Sequence, residues 1–384
     1  MFDNFLFVGK SMKNIQNVAV IGLGLIGGSL AMSIKNASKD IIVTGYDIAS
    51  EALGIAKYRN IIDSIASDYE EAVKNADLVI VATPISNIRE VINEIKPFLK
   101  KGVIVTDVGS AKENIVREVS AMLPPDSIFI GGHPMAGSEN EGVLSARHDL
   151  FKNAFYILTP TDNTKTESLV SLHSLLTKIG AKVVSISPKE HDEVVSLISH
   201  LPHIMSTNLV KLVDDEQADL KNLFKLCAGG FRDMTRIAAS NPKMWLDITF
   251  ENKNEIIKAM DKYIAYLQKF KESLKNNDEE YIKTHYNEAK EARLNLPKYV
   301  EKDISKLYEL MISIPDRKGV LSDVTLAISS SGINIEDISI FHSTEFVGGG
   351  ILKILVEGEN AGEIAKKAIE QKGYEARIKK ILGE

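Results

Sequence analysis

The stretch NVAVIGLGLIGGSL, residues 17–30, decides the fold of the first part of the chain. An apolar run ends in GLGLIG, residues 22–27, and apolar residues then continue at helical spacing. A second apolar run, IIVTGYD, ends at Asp47, twenty residues after the last of these glycines. A strand, a GxGxxG turn, a helix and an acid at this distance together form the fingerprint of a dinucleotide-binding site.

Each residue type in the fingerprint has a physical role. Gly22 would make the tight turn, Gly24 would admit a pyrophosphate, and Gly27 would let the helix pack closely on the strand. The pyrophosphate would lie at the helix N-terminus, where N–H groups and the helix dipole favour an anion. Asp47 would bind ribose hydroxyls and repel a 2′-phosphate, which favours NAD over NADP. The predicted cofactor-binding residues are Gly22, Gly24, Leu25, Ile26, Gly27, Asp47, Thr83 and Pro84.

Composition limits the class of protein. At 384 residues the chain should hold two or three domains. A formal net charge of -6, with no sustained Lys/Arg block, argues against nucleic-acid binding. The single cysteine, Cys227, excludes an internal disulfide framework and fits a reducing compartment. No apolar run reaches membrane-spanning length, and the N-terminal segment lacks the pattern of a signal peptide, so we expect a cytoplasmic protein.

The pattern of the chain changes twice. Over residues 1–187, seven β-branched runs alternate with amphipathic segments, which predicts a Rossmann-type doubly wound α/β domain with a parallel sheet. The runs are NVAVIG, IIVTGY, DLVIVAT, GVIVTDV, SIFIGG, AFYILT and AKVVSIS. Residues 188–302 read as helix without strands, kinked near Pro202, and their extra apolar faces predict an all-helical dimerisation domain and a homodimer. Residues 303–384 read βαββαβ, the order of a ferredoxin-like domain.

Polar residues follow the strands whose ends should face the cofactor. His133 follows the strand SIFIG in a glycine-rich turn, where a neutral imidazole can accept a hydroxyl proton, although such a histidine can also be structural. Ser110, in TDVGSAK, either orients His133 or the substrate hydroxyl, or caps the next helix. Lys112 is expected to be a solvated helix lysine unless it contacts a phosphate or carboxylate.

The helical region adds two further groups of candidates. His200 and His203 lie three residues apart in SHLPH, but no acid or thiol cluster accompanies them, so we predict no metal site. His203 is instead expected to donate to a substrate oxygen. Arg236 offers a planar fork for a carboxylate, with Arg232 as its competitor, and either arginine can instead form a surface or interface salt bridge.

Five motifs occur in a fixed order: VIGLGLIGGS, DVGSAK, GGHPMAGSE, SHLPH and GGFRDMTRIA…MW. This combination closely resembles the prephenate dehydrogenase family, and the terminal unit with IPDRKGVL…GINIEDI resembles an ACT domain. The resemblance covers nearly the whole chain after the first fifteen or so residues. It implies oxidative decarboxylation of prephenate by NAD to 4-hydroxyphenylpyruvate, the committed reaction toward tyrosine.

The resemblance also implies roles for particular residues. His133 would accept the proton of the substrate's ring hydroxyl, Ser110 would assist it, and Arg236 would bind a substrate carboxylate. His203 matches a substrate-contacting histidine, and Glu139 matches an acid near the site entrance. Residues that match positions lining or shaping the pocket are Gly229, Asp233 and Trp245.

The ACT-like unit implies regulation by an amino acid. Asp316 and Asn334 would hold an α-amino group and the N–H groups near Gly319 a carboxylate, so we expect feedback inhibition by tyrosine. The alternative is that Gly319 and Asn334 serve only the geometry of their turns.

Three other functions are compatible with the same sequence features. An arogenate dehydrogenase would act on an amino acid side chain where prephenate has a keto acid. A β-hydroxyacid dehydrogenase also joins a Rossmann domain to a helical one, but such enzymes typically use a lysine where this chain offers GGHP and SHLPH. A non-catalytic amino-acid sensor would show no turnover.

Overall fold

The structure is a computed structural model in which the chain forms two compact units, Met1–Glu272 and Ser273–Glu384. Two of the predicted site residues, Glu139 and Asp316, lie outside the described residues. The predicted domain boundaries, after residues 187 and 302, stay predictions. The structure describes residues 14–137, 140–216, 224–295, 307–315, 317, 319–335, 337–341 and 349–380.

All seven strands predicted for the first unit are present, together with one short strand that the sequence did not indicate. The strands are β1 (Asn17–Ile21), β2 (Ile42–Tyr46), β3 (Ser64–Ile65), β4 (Leu78–Val81), β5 (Ile104–Asp107), β6 (Ile128–Pro134), β7 (Phe155–Thr159) and β8 (Lys182–Ser185). They form one sheet in the order β3-β2-β1-β4-β5-β6-β7-β8. Strands β4 and β5 are buried at every residue, which explains why they read as continuous apolar runs.

Neighbouring strands of the sheet run parallel as predicted, except for one pair, β6 and β7, whose antiparallel pairing the sequence did not indicate. Strands β1 to β6 run parallel, but β7 runs antiparallel to β6, with Gly131 opposite Thr159. A parallel neighbour needs a crossover, which is usually a helix. Between β6 and β7 the described residues contain only a short 3-10 turn, Val143–Ser145, and the chain returns in the opposite direction.

Helices cover both faces of this sheet, as expected for a doubly wound domain. Alternate residues of β1 enter different apolar cores, with Val18 and Val20 in one and Ala19 and Ile21 in the other. The helices are α1 (Leu25–Ala37), α2 (Ser50–Tyr58), α3 (Tyr69–Val73), α4 (Ile88–Ile95), α5 (Glu113–Met122) and α6 (Thr166–Lys178). Helices α1 and α6 contribute to the first core, and α3, α4 and α5 contribute to the second.

The helical region begins directly after β8. It contains α7 (Pro188–Val195), α8 (Leu201–Glu216), α9 (Gly229–Thr235), α10 (Pro242–Glu251) and α11 (Lys253–Lys275). The expected kink at Pro202 takes the form of a π-helical turn, Ser196–His200, which joins α7 to α8. Proline removes one N–H and its ring clashes with the carbonyl four residues earlier, which here belongs to Ile198 inside that turn.

The second unit contains the predicted βαββαβ sequence. After α12 (Glu279–Asn295) come β9 (Leu307–Pro315), α13 (Val320–Ser330), β10 (Asp337–Phe341), β11 (Gly349–Glu357), α14 (Glu359–Glu370) and β12 (Ala376–Lys380). The strands pair antiparallel in the order β10-β11-β9-β12. The fold class predicted from the sequence is therefore confirmed.

Membrane-spanning helices were not expected from the sequence. Within the described ranges, no helix is both long and apolar enough to cross a bilayer. The cytoplasmic location stays a prediction.

Candidate active site

The three glycines of the first turn have different surroundings. Gly22 has a φ of +93°, and a Cβ there would lie 2.7 Å from the carbonyl oxygen of Ala82. A Cβ on Gly27 would lie 1.9 Å from the carbonyl oxygen of Gly22, so only glycine allows α1 to approach the turn. A Cβ on Gly24 would meet no described atom within 4 Å. There is thus no room for a side chain at Gly22 or Gly27, whereas the space beside Gly24 is free of described atoms and is where a pyrophosphate would approach.

The N-terminus of α1 is suited to an anion. Leu25 and Ile26 open the helix, and Gly24 precedes it as an N-cap without a side chain to bind the first N–H groups. Uncapped N–H groups and the helix dipole both favour a negatively charged group.

The carboxylate of Asp47 lies against the glycine turn. Its Oδ2 accepts a hydrogen bond from the N–H of Leu23 at 2.7 Å, and its Oδ1 accepts one from the N–H of Ala49 at 2.8 Å. These bonds hold a half-buried carboxylate directly after β2, and each oxygen retains a lone pair for a ribose hydroxyl.

The end of β4 contributes the other predicted cofactor contacts. The Thr83 hydroxyl is buried without a hydrogen-bond partner among the described residues, and Pro84 precedes the 3-10 turn Ile85–Asn87. Buried polar atoms normally have partners, so an unpaired hydroxyl here fits a site that a ligand completes. The residues at the ends of β1, β2 and β4 therefore fit a bound dinucleotide.

His133 was expected in a turn after the strand, but it lies within the last residues of β6, paired with Ile157 of β7, and is only 9% exposed. Its Nδ1 lies 2.7 Å from Nε2 of His191, which belongs to α7. The other nitrogen of His191, Nδ1, lies 2.7 Å from Oδ1 of Asp192. A buried chain of two imidazoles and one carboxylate thus extends from the end of β6 into the helical region.

Asp192 is held by the N-terminus of α5. Its two carboxylate oxygens accept hydrogen bonds from the N–H groups of Lys112 at 2.7 Å and Glu113 at 2.8 Å. The alternative role of Ser110 as the cap of this helix is therefore wrong, since the capping group is Asp192. The Ser110 hydroxyl makes no hydrogen bond within the part of the chain that the structure describes, and its role beside His133 stays a prediction.

Lys112 is not the solvated lysine that the sequence suggested. Its ammonium group forms an ion pair with Asp107, and both side chains are fully buried. Asp107 also accepts hydrogen bonds from the N–H groups of Gly109 at 2.8 Å and Gly132 at 3.1 Å. A buried charge needs a partner of this kind, and here the pair ties the turn after β5 to the residue before His133.

The surroundings of His133 favour its neutral form. Burial lowers its pKa well below the ordinary value, and the positive charges that His191, Lys112 and His200 can carry lower it further. Burial also lowers the pKa of His191, although Asp192 opposes this effect. The lowered pKa keeps His133 neutral near pH 7, which is the form that a general base requires.

A second group of aromatic side chains lies on α8 and α10. The ring of His203 stacks on Trp245, with ring centroids 3.5 Å apart and an interplanar angle of 11°. His200 lies at the end of the π-helical turn, where its Nδ1 is 3.1 Å from the amide nitrogen of Asn252. Nε2 of His203 and Nε1 of Trp245 are buried without a partner among the described residues, and both can face a polar ligand.

The remaining candidates lie on elements that pack against α8. Gly229 opens α9, Asp233 lies within it, and Arg236 begins the 3-10 turn Arg236–Ala239. Asp233, Arg236 and the competing Arg232 are all exposed. Among the described residues, no grouping of three or more histidine, cysteine or acidic side chains is suited to a metal ion.

Polar contacts connect the sheet to the helix that carries Trp245. The guanidinium of Arg89, on α4, makes a bidentate contact with Glu251 of α10 at 2.8 and 2.9 Å. The Ser86 hydroxyl donates to Asp247 of α10 at 2.6 Å. These contacts hold α10 beside the ends of the strands.

In the second unit, two of the three predicted effector residues are described. Gly319 has a φ of +87° and precedes α13, and Asn334 is exposed. The turn geometry alone requires a glycine at position 319. Arg317, in the same turn, donates to Asp323 at 3.0 Å and to the Tyr374 hydroxyl at 2.7 Å.

Sequence reasoning missed His191 and Asp192. The only local sign in the sequence was the dipeptide His191-Asp192, about one helical turn after Pro188. Its burial was not predictable, because polar residues near the start of a helix are usually exposed to solvent.

Family models match most of the chain. Residues 30–185 match the nucleotide-binding domain of prephenate dehydrogenase, residues 187–288 its dimerization domain, and residues 308–373 an ACT domain. The chain belongs to the prephenate dehydrogenase family. This membership confirms the family resemblance and the expectation of a nucleotide-dependent dehydrogenase with a C-terminal ACT domain.

Individual members of the family are similar over most of their length. A prephenate dehydrogenase of Bacillus subtilis is 36% identical over 92% of this chain and 96% of its own. The crystal structure of prephenate dehydrogenase from Aquifex aeolicus, in complex with hydroxyphenyl propionate and NAD+, is 33% identical with a TM-score of 0.70, over 74% of this chain and 100% of that one. A Synechocystis arogenate dehydrogenase is 31% identical with a TM-score of 0.67, over 74% and 100%.

Proposed function

We propose that this chain catalyses the NAD-dependent oxidative decarboxylation of prephenate to 4-hydroxyphenylpyruvate. The observation that carries the proposal is the buried His133, hydrogen-bonded to His191 at the same edge of the sheet as the glycine turn. Family membership and the similarity to NAD-bound prephenate dehydrogenase from Aquifex aeolicus support it.

His133 is the general base in this proposal. NAD, when bound, supplies the acceptor for the hydride that leaves the ring carbon bearing the hydroxyl. Nε2 of His133 takes the proton of that hydroxyl, so that an O–H bond breaks and an N–H bond forms. The ring carboxylate leaves as carbon dioxide, and its bonding electrons complete the aromatic ring.

Other residues bind the substrate. Arg236 pairs with a substrate carboxylate. Nε2 of His203, which has no hydrogen-bond partner among the described residues, donates to a substrate oxygen. Ser110 contacts the ring hydroxyl beside His133, and Trp245 supports His203 by stacking. The remaining predicted contributors to the pocket are Glu139, Gly229 and Asp233.

Arogenate is the competing substrate, because one similar structure is an arogenate dehydrogenase. The two substrates differ only in the side chain, which is a keto acid in prephenate and an amino acid in arogenate. A β-hydroxyacid dehydrogenase or a non-catalytic sensor would turn over neither of them.

The test is production of NADH by the full chain with prephenate, with arogenate, and with NADP replacing NAD. We expect turnover of prephenate with NAD, and His133→Asn should lower kcat by about 10² to 10⁴-fold, the usual contribution of a general base. His148→Asn is the matched control because His148 is exposed. Near-full turnover in His133→Asn at saturating substrate would show that His133 is not the base.

We also propose that the chain is a homodimer through its helical region. An apolar groove of about 610 Å³ lies between α8, α9 and α11, with Leu209, Leu212, Met234, Ile264 and Leu267 among its lining residues. The match of residues 187–288 to a dimerization domain supports a second copy as the occupant. Sedimentation velocity should give twice the chain mass, and Leu212→Glu should shift it towards the monomer.

Tyrosine is the effector in our proposal for the ACT domain. Tyrosine should inhibit the full chain, and Asn334→Ala should weaken that inhibition without changing kcat in its absence. Undiminished inhibition in this variant would exclude Asn334 from the effector site and leave it with a turn role alone.

A further inference from the structure

We propose that His191 and Asp192 are positioning residues that fix the tautomer of His133. In this assignment His133 carries its proton on Nδ1, so that Nε2 has a free lone pair for the substrate hydroxyl. The inference rests on the proposed role of His133 as the base. It adds the reason why one nitrogen of that histidine is available and the other is not.

The donor and the acceptor of each hydrogen bond in the series Asp192–His191–His133 can be assigned by starting from the Asp192 carboxylate. Asp192 is fixed by the N–H groups of Lys112 and Glu113, and its oxygens act as acceptors. Nδ1 of His191, 2.7 Å from Oδ1 of Asp192, must therefore be a donor. In a neutral imidazole the other nitrogen is then an acceptor, so Nε2 of His191 accepts a hydrogen bond.

The hydrogen bond between His191 and His133 determines the tautomer of His133. Because Nε2 of His191 accepts, Nδ1 of His133, 2.7 Å away, must donate. Nε2 of a neutral His133 then carries no proton. The opposite tautomer would place two lone pairs against each other inside a buried contact, which leaves both polar groups unsatisfied.

His191 and Asp192 are held in place by hydrogen bonds of α7 and of neighbouring elements. His191 lies in α7, whose N-terminus is capped by the Ser187 hydroxyl at 3.1 Å from the N–H of Glu190. Asp192 is bound to the first turn of α5, and its carbonyl oxygen accepts from the amide of Asn252 at 3.0 Å. His191 is completely buried, so water does not compete for its two nitrogens.

The same series of hydrogen-bonded side chains, His133–His191–Asp192, also offsets the positive charge that His133 acquires during the reaction. When Nε2 of His133 accepts the proton, the ring becomes an imidazolium and its Nδ1–H still donates to His191. The carboxylate of Asp192 lies one imidazole further along and offsets the positive charge, against the opposing charge of buried Lys112. No proton has to leave Nδ1, so His191 acts by orientation and through its hydrogen bonds.

Two substitutions of His191 separate orientation from simple packing. In His191→Gln, the side-chain oxygen can accept from Nδ1 of His133 while the amide nitrogen donates to Asp192, which preserves the tautomer. His191→Phe fills the same space with neither bond. We expect kcat with prephenate to fall roughly a hundredfold in the phenylalanine variant and less than about tenfold in the glutamine variant, with KM little changed in both.

Equal losses in the two variants would mean that His191 only fills space, and full activity in both would mean that it has no role. Circular dichroism and the Tm of each variant show whether the fold is retained.

A spectroscopic measurement tests the tautomer without any turnover. In the full chain labelled with ¹⁵N-histidine, the signals of His133 are those that disappear in His133→Asn. We expect the Nδ1–H tautomer in the wild type and in His191→Gln, and a mixture in His191→Phe. An Nε2–H tautomer in the wild type would overturn the inference, even if His133→Asn proved inactive. Conversely, an active His133→Asn variant would refute the proposed base and leave this measurement valid.

Discussion

The glycine turn and the histidine chain, the hydrogen-bonded side chains of His133, His191 and Asp192, lie at the same edge of one sheet. They are built in different ways. The turn, residues 22–27, works through its backbone, and its residues are neighbours in sequence. The histidine chain works through side chains, and His133 meets a partner 58 residues further along. Local patterns therefore determine the first region, and long-range packing determines the second.

A substitution at the closed part of the glycine turn should give the largest effect. In Gly27→Ala the new Cβ would lie 1.9 Å from the Gly22 carbonyl oxygen, so α1 must move away from β1. We expect the free energy of unfolding to fall by about 3 kcal/mol, at the upper end for overpacking, and NAD binding to be lost. Urea denaturation and titration with NAD measure these two quantities.

Gly24→Ala is the matched control for this comparison. Its Cβ meets no described atom within 4 Å, so the stability without cofactor should stay within about 0.5 kcal/mol of the wild type. The methyl group lies where the pyrophosphate should approach, and NAD affinity should still decrease. Unchanged NAD affinity in Gly24→Ala would contradict the assigned position of the cofactor.

The buried histidines should make stability depend on pH. Burial lowers the pKa of His200 to about 4, whereas an unfolded histidine titrates near pH 6.5. As the pH falls below 6.5, the unfolded state takes up a proton that the folded state excludes, so stability present above pH 6.5 is lost. Between pH 7 and pH 5 this should cost about 2 kcal/mol for His200 alone.

The measurement is urea denaturation at pH 7 and pH 5. His200→Asn removes the titrating group, so the difference between the two pH values should become smaller than in the wild type. His148→Asn replaces an exposed histidine and should leave that difference unchanged. An equal pH dependence in the wild type and His200→Asn would refute this origin.

The smallest effect is expected from a substitution of Asp47, whose carboxylate lies against the glycine turn. In Asp47→Ser, the carboxylate that would repel a 2′-phosphate is removed, and the ratio of kcat/KM for NAD to that for NADP should fall about tenfold. The two backbone hydrogen bonds to this side chain are also lost, so Tm serves as the control for local damage. An unchanged ratio would exclude Asp47 as a determinant of cofactor choice.

Most of the fold was predictable because its signals are local. The seven apolar runs of the first unit all form strands, and the βαββαβ order of the last unit was readable from alternating patterns. The reversed direction of β7 was not readable, because it depends on how the connection after β6 packs. The two-residue strand β3 is too short to give a periodic signal.

The site was predictable in part. The position of His133 close to the carboxyl end of a strand followed from a local apolar pattern, although GGHP forms the last residues of β6 and not the turn that the sequence suggested. The hydrogen-bond partner of His133 did not follow from it, and the sequence suggested Ser110 where the structure places His191. Lys112 was also misjudged, since only the tertiary structure shows that Asp107 lies beside its ammonium group in the interior.

The sequence by itself determined where the chain makes its glycine turn, which strands are buried on both faces, and which histidine ends a strand. These properties depend on backbone conformation and on hydrophobic periodicity within a few residues. The tertiary structure alone decided that Asp192 caps α5 and that His191 contacts His133. Such contacts join distant segments, and their geometry exists only after the helical region has packed against the ends of the strands.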